Sequence, residues 1–141
     1  MALPTHLTLE LVTPDRAVVQ ESVDEIQIPG AEGYLGVLPG HTPLLVGLQV
    51  GELWFRQGEQ TSYVSVAFGF AEILPDRVTI LAQIAERAED IDVERAKEAE
   101  RRAREHLAAT VTDVDFERAR ISLMKSLIRL QVASKIRLRS I

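Results

Sequence analysis

All eight glycines and all six prolines of this 141-residue chain lie at or before Pro75. Residues from Asp76 to Ile141 include neither. Glycine and proline end regular elements, so this partition separates a much-interrupted first part from an uninterrupted second part. Up to about Ala85 the first part reads as short strands. In HLTLELVT, His6–Thr13, the leucines Leu7, Leu9 and Leu11 alternate with Thr8 and Glu10, the period of a strand with one buried side. VDEIQIP, Val23–Pro29, stops at Pro29-Gly30. GELWFRQG (Gly51–Gly58) and TSYVSVAFGF (Thr61–Phe70) flank Gly58-Glu59-Gln60 as a hairpin, and Ala71–Ala85 breaks at the Pro75-Asp76 turn and resumes. Strands so closely spaced leave no room for the crossover helices of a parallel α/β sheet, so a sandwich or barrel is expected.

Past Ile84 the composition changes. AEDIDVERAKEAERRAREHLA, Ala88–Ala108, is built from Ala, Glu, Arg and Lys, all good helix formers. Ala96, Ala99, Ala103 and Leu107 share one helical face and are small enough, alanines especially, to admit a close partner helix. ATVTDV, Ala109–Val114, interrupts, and Thr112 or Asp113 can cap a second helix that runs on to Ser140. That helix carries one apolar row at Phe116, Ala119, Leu123, Leu127 and Leu130, and another at Ile121, Met124, Ile128, Val132 and Ile136. One neighbouring helix cannot cover both rows, so the second faces the sheet or another protein. The short connector predicts an antiparallel pair, giving an α+β chain: a β-domain followed by a helical hairpin.

Charge is distributed unevenly. Asp90–Glu117 is rich in carboxylates, whereas Arg118, Arg120, Lys125, Arg129, Lys135, Arg137 and Arg139 follow with no acid among them. Such a tail suits an acidic protein, a phosphate or a lipid, or is simply a solvated helix face. The net charge of −5 argues against a nucleic-acid binder, which needs a concentrated positive surface. With no cysteine, disulfides and thiolate chemistry are excluded, and His6, His41 and His106 do not have zinc-ligand spacing. The opening MALPTHLTLE lacks the basic-then-apolar order of a secretory leader, and no apolar run reaches the roughly 20 residues of a spanning helix. No residue set supplies nucleophile, base and orienter together, so no catalytic residue is expected.

The stretch EGYLGVLPGHTPLLVGLQVGEL, Glu32–Leu53, places Pro39-Gly40-His41 and Pro43 between runs of β-formers. Pro39-Gly40 marks a turn, and Pro43 fixes the backbone just before the strand LLVGLQV. His41 therefore reads as an orienting hydrogen-bonding group in a tight loop or interface rather than as a general base.

Taken together, VTPDR (Val12–Arg16), EGYLGVLPGHTPLL (Glu32–Leu45), SVAFGFAEILPDRVTILAQIAERAEDID (Ser65–Asp92) and DIDVERAKEAERRA (Asp90–Ala103) resemble the epsilon subunits of bacterial-type F1Fo ATP synthases, called delta in mitochondria. The resemblance runs through nearly the whole chain in order. It implies a flattened β-sandwich over residues 1–88, attaching the gamma subunit and the c ring, and a regulatory antiparallel helical hairpin over residues 89–141. It further implies a non-catalytic central-stalk rotor subunit, coupling ion transport to ATP synthesis, peripheral on the cytoplasmic face of a bacterial plasma membrane through Fo.

By the same resemblance Glu32 faces the c ring, Tyr34 stands where relatives often hold an acid, and His41 lies on the gamma-facing loop. The hairpin is expected to open and carry Arg118 and Arg120 to the alpha and beta subunits, inhibiting hydrolysis. IDVERA, Ile91–Ala96, matches a nucleotide-binding pattern of some relatives, so ATP is implied as a regulatory ligand and no cofactor as obligatory. Asp92 and Arg95 would be ligands or organisers, Glu86 would accept from the adenine amino group, and Arg102 and Arg129 match further arginines. Lys125 stands where relatives place arginine; it keeps the charge and loses the fork. The plainer reading has Asp92 capping the helix and Arg95 paired with Glu98 or Asp92. There is no phosphate-loop motif and no metal-organising set to accompany ATP. Without the resemblance, a carbohydrate- or peptide-binding β-module with a dimerising helical tail also fits this organisation.

Overall fold

The computed structural model describes residues 3–109 and 112–139. Thr110-Val111 of the expected connector, and the side chains of Arg137 and Arg139 in the basic tail, lie outside the described residues. Two compact units meet at the Arg87/Ala88 boundary. The first holds β1 (Leu7–Val12), β2 (Ala17–Val23), β3 (Glu25–Gly30), β4 (Gly33–Val37), β5 (Leu44–Gln57), β6 (Gln60–Ile73) and β7 (Arg77–Arg87). The second holds a 3-10 turn (Ala88–Asp90), α1 (Val93–Ala109) and α2 (Asp113–Arg139).

The strands form one seven-stranded sheet in the order β2-β1-β7-β6-β5-β3-β4. It becomes a β-sandwich because its central strands are long. β5 and β6 are 14 residues each and pair along their length. β1 joins only the start of β7, Arg77–Leu81, whereas β3 joins the later half of β5, through pairs such as Glu25↔Arg56. The two outer strand pairs thus hang from opposite halves of the same ribbon, and β2 comes over β5 when the ribbon curls. The alternation in β1 has its expected result: Leu7, Leu9 and Leu11 are fully buried with Ile26, Ile28, Leu53, Phe55, Ile73 and Ile80. One pairing in the sheet is parallel. β1 and β7 run parallel, the whole of β2–β6 serving as their connection in place of a crossover helix.

The ribbon turns its corner at Phe68-Gly69. Phe68 has φ 63° and Gly69 φ 126°, yet the β5–β6 and β6–β7 registers continue unbroken on either side. Positive φ is costly for an aromatic residue, so Phe68 stores strain that the surrounding pairing holds in place. A Cβ on Gly69 would overlap the Leu81 carbonyl oxygen and lie 2.9 Å from the Ala82 Cα. Elsewhere in this unit Asp24 ties three segments together. Its Oδ1 meets His6 Nδ1 at 2.8 Å, and its Oδ2 accepts the Gly58 N–H at 2.6 Å. The Gly58 N–H, with His6 and Arg56 behind it, holds the Asp24 carboxyl below its ordinary value of 3.8.

In the second unit α1 and α2 pack antiparallel along small residues. Ala96 and Ala103 of α1 are buried, as are Ala119, Ser126 and Ala133 of α2, each seven residues from the next. That is the heptad spacing of a straight helix–helix seam. The buried Ser126 hydroxyl donates to the Ser122 carbonyl at 2.8 Å, one turn back. The expected stripes are met in part: Ala119 of the first row and Val132 of the second are buried, together with Ser126 and Ala133, whereas Phe116 and Leu127 of the first row remain exposed. Thr112 caps α2: its hydroxyl oxygen accepts the Asp115 N–H at 3.2 Å and its proton goes to Asp115 Oδ2 at 2.8 Å.

Two predictions follow from the sheet unit. Gly69→Ala forces apart backbones that pairing holds together, and should lower stability by at least about 2 kcal/mol, read from urea unfolding. Asp24 has a depressed folded-state pKa, so its contribution is present above the unfolded value and vanishes as acid protonates the folded carboxyl. The stability gap between the natural chain and Asp24→Asn should therefore be widest above about pH 4 and close progressively below it.

Candidate functional site

The expected partner-facing residues of the sheet unit gather around the β3–β4 hairpin. Glu32 and Tyr34 line an open cleft of about 480 Å³ with Gly30–Leu35 on one side and Leu44–Gly47 on the other. Glu32 is an exposed turn acid. Tyr34 has a second task. Where the β3–β5 ladder slips between Gln27 and Gly30, the Tyr34 hydroxyl oxygen accepts the Glu52 N–H at 3.3 Å. Tyr34 pairs across from Pro29, and both lie over Gly51, where a Cβ would overlap the proline ring and sit 3.0 Å from the tyrosine oxygen. The ring is still 53% exposed, so one face remains for a neighbour. His41 is not in this cleft. Its Nδ1 donates to the Thr42 carbonyl at 2.6 Å, and its N–H donates to the Leu38 carbonyl at 3.2 Å, closing the turn.

A surface absent from the sequence reading lies on the outer face of the same sheet. Val12, Leu81 and Phe70 are direct partners across β1, β7 and β6, so they point to one side. Phe70 and Leu81 are exposed, with exposed Leu45 nearby on β5. The available signal was their phase: each alternates with a buried core residue, Ala71 after Phe70 and Ile80 before Leu81.

In the hairpin unit Asp92 is the N-cap of α1, its Oδ1 accepting the Arg95 N–H at 3.1 Å. The Arg95 guanidinium makes no ion pair among the described residues; Glu98, its expected partner, takes Arg101 instead. Ala96 is fully buried in the seam and Ile91 nearly so, which makes them packing residues here. The antiparallel register, with Ala103 near Ala119, carries Lys125 and Arg129 alongside the first turns of α1, where Asp92 and Arg95 lie. Glu86 belongs to the first unit. It sits on β7 opposite Ser65, which is itself opposite the buried Glu52.

The arginines fall into two kinds. Arg101 binds Glu98 and Glu105, Arg104 binds Glu100, and Arg120 binds Glu117, all within one helix. The guanidinium hydrogen bonds hold the Glu98 and Glu117 carboxyls below the ordinary range. Arg120, expected with Arg118 to meet a partner, thus has its charge already matched. Arg102 and Arg118 have no such partner among the described residues, and both line an open cleft of about 660 Å³ between the helices. No group of acidic or histidine side chains among the described residues could hold a metal ion.

Comparison with known proteins extends over both units. The family described as "ATP synthase, Delta/Epsilon chain, beta-sandwich domain" matches residues 6–88, and "ATP synthase, Delta/Epsilon chain, long alpha-helix domain" matches residues 89–134. An ATP synthase epsilon chain of Koribacter versatilis is 54% identical over 98 residues, 70% of this chain and 69% of that one. That of Syntrophobacter fumaroxidans is 49% identical over 129 residues, covering 92% of this chain and 96% of that one. Among solved structures, a chain of the Euglena gracilis mitochondrial ATP synthase (OSCP/F1/c-ring) superposes with a TM-score of 0.80 at 26% identity, over 98% of this chain and 84% of that one.

Removing the Tyr34 hydroxyl tests its part in the sheet. Tyr34→Phe should cost about 1 kcal/mol in unfolding experiments and speed hydrogen exchange at the Glu52 amide.

Proposed function

The chain belongs to the delta/epsilon family of ATP synthase chains, and from that premise we propose that its sheet unit attaches the gamma subunit and the c ring while its helical hairpin regulates ATP hydrolysis. The general role is that of a non-catalytic central-stalk subunit of the rotor. The observation that carries this reading is the match of both family descriptions, in order, over the sheet unit and the hairpin. No helix among the described residues is long and apolar enough to cross a membrane, so membrane attachment is assigned to partner subunits.

The division of labour is supported by how each unit is built. A sheet closed around large aliphatic side chains is stiff, as a body transmitting torque must be. The exposed Leu45, Phe70 and Leu81 offer gamma an apolar surface, and the loop with His41 extends that contact. Glu32 and the open face of Tyr34 sit at a hairpin tip suited to the polar loops of a c ring. The hairpin is held by alanine and serine, so separating its helices loses little apolar burial per contact. An opened α2 would present Arg118 and Arg129 to acidic segments of the alpha and beta subunits. Arg120, already matched by Glu117, contributes less.

ATP is assigned to the Asp92 end of the closed hairpin, as a regulatory ligand that is bound and not hydrolysed. The reading is supported by the Ile91–Ala96 pattern, by the Arg95 guanidinium having no ion pair among the described residues, and by the antiparallel register that brings the stretch of α2 with Lys125 and Arg129 alongside the first turns of α1. Arg102 lies two turns further along α1.

In reconstituted F1, a version ending at Glu89 should hydrolyse ATP faster than the full chain; equal rates would reject regulation by the helices. For the nucleotide, Arg95→Ala is the cleaner probe, since Asp92→Ala also removes a cap worth about 1 kcal/mol. Calorimetric titration of the full chain with ATP should saturate, and Arg95→Ala should weaken it roughly tenfold or more.

A further inference from the structure

We propose that the open edge of β4 pairs with the same edge of a second copy of this chain, making a weak antiparallel dimer centred on Leu35. The pairing follows from the sheet unit alone; only its exclusion from the assembled rotor depends on the c-ring assignment above.

The sheet ends in β2 on one side and β4 on the other, and the two edges are treated differently. On β2, side chains from other strands reach the backbone carbonyls: Arg87 Nε donates to that of Val18 at 2.9 Å, and Gln57 Nε2 to that of Ser22 at 3.1 Å. β4 has no such cover. The Gly30↔Gly33 pair closes the β3–β4 turn, so Gly33, Leu35 and Val37 are the residues whose backbone groups bond to β3. Pro29, which has no N–H to give, stands opposite Tyr34 and fits this phase. The backbone N–H and C=O groups of Tyr34 and Gly36 therefore point away from the sheet, and no group among the described residues meets them. The devices that usually blunt an edge are missing too: β4, GYLGV, carries neither a charge nor a proline.

The sequence of this edge is complementary to itself. An antiparallel pair centred on Leu35 sets Tyr34 opposite Gly36 of the second copy, and the two-fold axis repeats the pair in reverse. Both residues face outward, so each such pair exchanges both of its N–H···O bonds. The exposed ring of Tyr34 then lies over a residue with no side chain. Nothing within one copy requires glycine at 36: its φ is not positive, and a Cβ there would meet nothing within 4 Å. The nearest ionised groups, Glu32 of each copy, fall at opposite ends of the paired strands beside the exposed Leu38 of the other copy, so like charges do not face each other. Two five-residue strands bury much less than the roughly 1,000 Å² of a lasting interface, so the dimer is transient. It covers the hairpin assigned above to the c ring, and so belongs to the chain outside the rotor.

Sedimentation equilibrium of the full chain, from micromolar to millimolar concentration, should show a monomer–dimer equilibrium. Gly36→Pro removes an outward donor without touching the β3 ladder, and should weaken dimerisation roughly tenfold or more. Urea unfolding verifies that the variant is folded. Phe70→Ser, on the outer sheet face, should leave the dimer unchanged. Because the chain has no cysteine, single substitutions report the register. In a glutathione redox buffer at millimolar protein, Leu35→Cys should form a disulfide-linked dimer, and Glu59→Cys, in the β5–β6 turn, should form far less. A chain that stays monomeric at millimolar concentration, a dimer indifferent to Gly36→Pro or lost in Phe70→Ser, or equal cross-linking at both cysteines would overturn the proposal. So would Tyr34 and Gly36 amides protected from hydrogen exchange only when gamma or the c ring is added, which would give the edge to a partner's strand. A monomeric chain would leave the c-ring assignment standing, so the two readings can fail separately.

Discussion

The close approach of the Gly69 backbone to the Leu81 carbonyl lets β6 and β7 bend together without breaking their pairing. A seven-stranded sheet that stayed open would expose the faces now lined by Leu9, Ile28, Leu53 and Ile80. Curling buries them, but hydrogen bonds must survive the corner, because unpaired backbone groups inside a sandwich are expensive. Strands β5 and β6 meet this by keeping register through the bend, with the distortion confined to the positive φ angles of Phe68 and Gly69. The outward row of Val12, Leu81 and Phe70 crosses the sheet at the same place. The bend that closes the core therefore also shapes the exposed apolar surface.

The two units are stabilised on different scales. A buried leucine, isoleucine or phenylalanine contributes about 1.5–3 kcal/mol, whereas an alanine methyl contributes about 0.8. The sheet unit buries many of the former; the α1–α2 seam is made from Ala96, Ala103, Ala119 and Ser126. Small side chains bring the helices close and align them, but give little resistance to separation. A rigid body carrying an appendage of low closing energy is a sound arrangement for a chain that must hold fast at one place and respond at another. The heptad spacing keeps the closed form specific even though it is weak.

Much of the sheet was legible, because alternation is a local signal. Leu7, Leu9 and Leu11 declared their face, and Gly58 declared the hairpin between β5 and β6. The parallel β1–β7 pair was not legible, since nothing local distinguishes a strand that will pair with a distant partner in the same direction. Gly69 looked like one more glycine in a strand; its necessity lies in Leu81, on another strand. In α2 the two apolar rows located Ala119 and Val132, which are buried, but not Ser126, which is buried with them, nor the exposure of Phe116 and Leu127. Close helix packing selects for small side chains, so ranking positions by hydrophobicity finds only part of the contact face. At the candidate site, Asp92 as a cap was readable from its place before Val93, but the freedom of the Arg95 guanidinium was not. That depended on Glu98 choosing Arg101.

That choice illustrates how the hairpin sorts its charges. In a helix so dense in glutamate and arginine, any arginine with a carboxylate three or four residues away has a partner within reach. Arg101 has two such partners, Glu98 and Glu105, and Arg104 has Glu100. Arg102 has Glu98 four residues before it and Glu105 three residues after it, but both pair with Arg101. Arg118 has Asp115 three residues before it, but that carboxylate receives the capping hydroxyl of Thr112 and supports the first turn of α2. Pairing within each helix thus consumes the carboxylates and leaves a positive remainder. The antiparallel seam then gathers that remainder from two helices onto one cleft. Surface ion pairs of this kind add little to stability; their larger effect here is to determine which cations remain available to a partner.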